Sequence, residues 1–151
     1  LQSNKINQAL ACVDAIESID SALLVQKIDS RLSRELPVFI EVNVSGEDTK
    51  HGCSPADFSS IAEAVAASTH LKLAGLMTVG LNSPTEADVR RGYALLRELR
   101  DTAAQQLAIP ANKLELSMGM SHDLEWAIAE GATIVRVGTA VFGPRLSVAR
   151  G

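Results

Sequence analysis

Two short stretches late in the sequence combine residue types suited to holding an anion. Ser117-Met118-Gly119-Met120-Ser121 sets small hydroxyl side chains around a glycine, just ahead of a helical stretch. Free N–H groups and the helix dipole attract phosphate at such a start. Arg136-Val137-Gly138-Thr139 offers a glycine for close backbone approach and a hydroxyl beside it. Arg136 is the sharper signal, because it interrupts the apolar run Ile134-Val135-Arg136-Val137. A charge inside an apolar strand needs a partner or a polar cavity. Glu41 and Asn43 raise the same question within residues 38–44, and Glu41 is a candidate ion-pair partner for Arg136. By spacing alone, Ser121 reads equally as a plain N-cap and Gly138-Thr139 as an ordinary turn.

Other chemistry has less support. His51, His70 and His122 are unclustered and read as solvated or capping residues. Cys12 and Cys53 form no CxxC and no Cys/His cluster, so they read as reduced thiols rather than zinc ligands. Lys5 and Lys50 fall in polar turns and read as solvated, and Tyr93 and Trp126 read as packing residues. No Ser-His-Asp or Cys-His arrangement emerges from the spacing.

The elements that must position the two turns alternate in type. Residues 38–44, 71–77, 114–118 and 134–137 are apolar or β-branched runs, the signature of strands covered on both faces. Residues 12–16 are a weaker strand candidate. Helices are predicted between the runs. One spans 21–36 with the stripe Leu24, Ile28, Leu32. Ser54-Pro55 and Ser83-Pro84 each start another, and a short one follows Ser121. This βαβ alternation predicts a parallel sheet whose strand-to-helix turns gather at one end, where ligands bind in such folds. Periodicity alone leaves a barrel and an open doubly wound sheet equally possible. With no linker or repeat, residues 1–151 read as a single domain.

Composition narrows the function classes. The chain has 151 residues, 46% of them hydrophobic but only 3% aromatic, so its core must be built from aliphatic side chains. A net charge of -4 with no basic run argues against a nucleic-acid or anionic-membrane partner. The apolar runs fall far short of the ~20 residues of a spanning helix. No signal peptide is evident, and a cytoplasmic location is expected.

Read in order, several stretches resemble the pyridoxal phosphate homeostasis protein family, related to the N-terminal barrel of alanine racemase. They are Leu1-Gln2-Ser3-Asn4-Lys5, Glu41-Val42-Asn43-Val44-Ser45, Lys50-His51-Gly52, Gly75-Leu76-Met77, Leu116 through Ser121, and Val135 through Gly143. The resemblance implies a (β/α)8 TIM-type barrel with pyridoxal 5′-phosphate as cofactor. By that analogy Ser117 and Ser121, with the backbone of Met118 and Gly119, face the phosphate. Gly138 and Thr139 complete the cradle, Met77 lines the site and Arg136 points at the pyridine nitrogen. A permanently charged guanidinium cannot accept the ring proton, which leaves the ring a weaker electron sink. That suits a carrier or buffer delivering cofactor to PLP-dependent apoenzymes more than it suits an enzyme.

The family's Schiff-base lysine lies upstream of the first matching motif, and Lys5 matches the family's own Asn-Lys pair instead. The chain is therefore expected to be a partial α/β barrel lacking its first strands, the C-terminal two thirds of the protein, that binds the cofactor weakly and without a covalent bond. His122 departs from the acid that family members often carry there. Two other readings stay open: a racemase-like enzyme, and a barrel that uses the same cradle for another phosphorylated metabolite.

Overall fold

A computed structural model describes residues 1–47 and 49–143. Asp48 and residues 144–151 lie outside the described residues. Five strands, β1 (Ile16–Ile19), β2 (Leu36–Glu41), β3 (Leu71–Met77), β4 (Glu115–Met120) and β5 (Ile134–Arg136), form one sheet in sequence order. Every neighbouring pair is parallel. Helices α2 (Ala22–Asp29), α3 (Phe58–Ala67), α4 (Glu86–Gln106) and α5 (Leu124–Ala129) connect successive strands. Helix α1 (Ile6–Leu10) precedes β1 and the single turn α6 (Thr139–Phe142) follows β5.

Register decides which side chains share a face. Glu41, Met77 and Ser117 are aligned across β2, β3 and β4, and Phe39, Gly75 and Glu115 form the next row. Aligned neighbours project to the same side, and alternate residues to the opposite one. Ile40, Leu76 and Leu116 are therefore on the opposite face. They are fully buried in a core shared with Leu24, Ile28, Phe58, Ile61, Val89 and Leu96 of the helices. The helix-covered face is thus aliphatic, while the other face carries charge.

That second face is concave. In a flat sheet β1 and β4, three steps apart, would be separated by about 14 Å at about 4.8 Å per step. Yet the Ser117 hydroxyl of β4 donates to Glu17 Oε2 of β1 at 2.9 Å. A contact across two intervening strands requires the sheet to curl as barrel strands do. The choice between barrel and open sheet that periodicity left undecided is settled by this bond.

Several element boundaries differ from the sequence expectation. β1 is Ile16–Ile19 rather than 12–16, and α2 stops at Asp29, where the Arg31 and Leu32 N–H groups switch to carbonyls three residues back, and Leu36 belongs to β2. Ser54 and Ser83 do act locally: their hydroxyls accept the Asp57 and Thr85 N–H groups at 3.2 and 3.1 Å. Each builds a turn before the helix, so α3 and α4 begin at Phe58 and Glu86. Among the described residues no helix is long and apolar enough to cross a membrane.

Candidate functional site

The turns after β4 and β5 meet at the carboxyl end of the sheet. Ser121 is not the cap of α5, whose N-cap is Asp123. Its hydroxyl instead accepts the Ala140 N–H at 3.2 Å, joining the two turns directly. Together they line a cleft of about 550 Å³ formed by Met120, Ser121, His122, Arg136, Val137, Gly138 and Thr139. In a chain of net charge -4, this lining holds no carboxylate and one guanidinium among the described residues. Among the described residues, apart from its chain neighbours, a Cβ placed on Gly138 would meet no atom within 4 Å, so they leave space beside this backbone.

Arg136 is fixed at two points. Nη1 donates to Ser117 Oγ and Nη2 to the Thr78 carbonyl, each at 2.8 Å. Thr78 is itself held, its hydroxyl donating to the Val42 carbonyl at 2.7 Å. Glu41 is not an ion-pair partner: among the described residues no carboxylate lies within salt-bridge distance of Arg136. Neutral oxygens accept these two hydrogen bonds, so the guanidinium keeps its protons and its charge stays available to the cleft. Glu41 is buried on the charged face, and burial raises its carboxyl above the ordinary range, His51 opposing the shift.

The predicted site residues separate into groups. Ser121, Arg136, Gly138 and Thr139 line the cleft. Ser117 has no exposed surface and joins through Arg136, with Met77 beside it in register. Met118 lies in the aliphatic core, and Gly119 serves packing. Gly119 has φ +92, and a Cβ there would lie 2.5 Å from the Ala127 Cβ, so only glycine lets α5 sit this close to β4.

Sequence reasoning missed three supports. Asp123 accepts the Met120 N–H with Oδ1 at 2.6 Å and the Tyr93 hydroxyl with Oδ2 at 2.7 Å, shaping the turn that carries Ser121. Burial and that hydrogen bond push the Tyr93 phenol far above its ordinary range. Glu17 had no recognisable motif. Lys50 is not solvated: Nζ donates to the Gly80 carbonyl at 2.7 Å and pairs with Glu47 at 2.9 Å, bracing the loops after β2 and β3. Burial pushes the Cys53 thiol up to about 12, which makes it a poor nucleophile.

Known proteins resemble this chain in sequence and fold. The family described as alanine racemase, N-terminal domain, matches residues 3–145. A pyridoxal phosphate homeostasis protein of Aquifex aeolicus is 42% identical over 150 residues, covering 96% of this chain and 64% of the relative. The chain thus spans somewhat under two thirds of that curated relative's length. A solved structure of an unknown protein from Bifidobacterium adolescentis has 46% identity and a TM-score of 0.88, covering 94% of this chain and 58% of that protein. PipY of Synechococcus elongatus, solved with PLP bound, has 34% identity and a TM-score of 0.80, covering 95% of this chain and 67% of that protein. The chain belongs to the alanine racemase N-terminal domain family.

Proposed function

We propose that this chain forms the phosphate and ring-nitrogen side of a pyridoxal 5′-phosphate site, and that its role is to hold the cofactor for delivery rather than to turn over a substrate. The observation that carries the reading is the cleft between the β4–α5 and β5–α6 turns. Among the described residues it is free of carboxylate, bears the Arg136 guanidinium and borders the open backbone at Gly138. The donor set suits a phosphate ester: hydroxyls from Ser121 and Thr139 with backbone at Gly138. The PLP-bound PipY structure supports the same ligand class.

Pyridoxal phosphate, when bound, supplies an aldehyde and an electron-withdrawing ring. The residues of this chain bind and orient. Ser121, Gly138 and Thr139 hold the phosphate, Arg136 donates to the ring nitrogen without giving up a proton, and Met77 and Ser117 back Arg136 from the concave face. Among the described residues, none that lines the cleft is a lysine. Tyr93 has no exposed surface and its proton is committed to Asp123, which removes it as an acid–base group. Both points favour non-covalent holding over racemase chemistry. The same proposal takes residues 1–151 as one domain, acting in the cytoplasm, with apoenzymes as recipients.

The test is a titration of the whole chain with pyridoxal phosphate, pyridoxal and inorganic phosphate. Pyridoxal phosphate is expected to bind at least tenfold tighter than pyridoxal (about 1.4 kcal/mol per factor of ten), with competition from inorganic phosphate. Gly138→Val, which places a branched side chain in the open cleft, is expected to abolish binding without unfolding the chain. Equal affinity for pyridoxal and its phosphate would remove the phosphate cradle from the account.

A further inference from the structure

We propose that Glu17 is a positioning residue for Arg136, acting through the hydroxyl of Ser117. Glu17 lies on β1, four strands from Arg136 on β5, and does not line the cleft. It is nonetheless one hydroxyl away from the guanidinium: Arg136 Nη1 donates to Ser117 Oγ at 2.8 Å, and Ser117 Oγ donates to Glu17 Oε2 at 2.9 Å.

The direction of this relay is set by what each group can do. A guanidinium has only donors, so Ser117 must accept from it. Ser117 has a single O–H to donate, and Glu17 Oε2 accepts it. Ser117 has no exposed surface, so water offers no substitute partner. The hydroxyl is thereby locked with a lone pair on Nη1. The Thr78 carbonyl holds Nη2 and thus fixes the second point of the guanidinium plane. Without Glu17 the Ser117 proton loses its acceptor, the hydroxyl rotates to find another, and the lone pair at Nη1 is withdrawn.

This inference rests on the proposed ligand only for its binding readout. Its structural readout uses the free protein. The first measurement is nitrogen-15 NMR of the Arg136 guanidinium in the ligand-free full chain, assigned by difference with Arg136→Lys. The second is affinity for pyridoxal phosphate by fluorescence and for inorganic phosphate by shift titration. Glu17→Ala is expected to merge the separate Nη resonances that restricted rotation keeps apart. It should weaken pyridoxal phosphate roughly tenfold, the scale of one hydrogen bond to a charged group, and change phosphate affinity less than about twofold. Glu17→Gln keeps an acceptor oxygen and should restore the resonances. In a Ser117→Ala background, Glu17→Ala should add less than about twofold, because the relay is already cut.

Ser117→Ala alone must reproduce the loss of the resonances, and it carries the test should Glu17→Ala not fold. Wild-type resonances in either alanine variant would overturn the relay, as would Glu17→Gln behaving like Glu17→Ala. A wild-type chain that binds no pyridoxal phosphate, yet frees its guanidinium in Glu17→Ala, would overturn the proposed function and leave the relay standing.

Discussion

Replacing Tyr93 by Phe removes one oxygen from the middle of α4 and leaves the ring. The ring is fully buried, so no large cavity opens and packing is conserved. What is lost is the 2.7 Å hydrogen bond to Asp123 Oδ2. A bond to a charged acceptor contributes about 1.5–3 kcal/mol to stability. For a domain of this size that corresponds to a fall in Tm of roughly 3–12 °C, at about 2–4 °C per kcal/mol. The second consequence is local. Asp123 also holds the Met120 N–H at 2.6 Å, so a freed carboxylate loosens the turn bearing Ser121. Urea unfolding should show a lower midpoint at unchanged slope, and phosphate affinity should fall with it. Asp123→Asn in the Tyr93→Phe background should cost less than in the wild type, since the two groups share one bond. A midpoint unchanged in Tyr93→Phe would refute the view that this pair holds the turn.

Two further outcomes test other supports. Gly119→Ala puts a Cβ 2.5 Å from that of Ala127 at φ +92, and should destabilise by about 2–4 kcal/mol from backbone strain plus overpacking, read by calorimetry. Glu130 accepts Arg90 at 2.8 Å and Arg97 at 2.7 Å, and these bonds hold its carboxyl below the ordinary range. A depressed carboxyl contributes stability that is present above the unfolded value and is lost as pH falls through the folded value. Glu130→Gln should therefore lower the urea midpoint at neutral pH, and the gap to wild type should close below about pH 4.3, where unfolded glutamate protonates.

The alternation of strand and helix was legible because buried parallel strands read as continuous apolar runs, and residues 71–77 coincide with β3. Helix starts were less legible. Ser54 and Ser83 cap turns that do not yet wind into a helix, and hydroxyl chemistry at one residue cannot specify where the next turn becomes α. Half of the site was visible as types in a row: a glycine, two hydroxyls and an arginine in an apolar strand. The other half was invisible because its partners are distant in sequence. Glu17 and Ser117 touch only because the sheet curls, and Tyr93 reaches Asp123 across the gap between α4 and the β4–α5 turn. Spacing reports neighbours along one element, whereas curvature brings together residues from opposite ends of the chain.

The central claim is that this cleft holds pyridoxal phosphate and does so without a covalent bond. The most direct measurement is intact mass of the whole chain after incubation with pyridoxal phosphate and borohydride reduction, run beside an equilibrium titration of the same sample. The expected result is saturable binding that inorganic phosphate competes away, with no stoichiometric adduct on Lys5, Lys27, Lys50, Lys72 or Lys113. A stoichiometric adduct on one of these lysines, or no saturable binding at all, would contradict it.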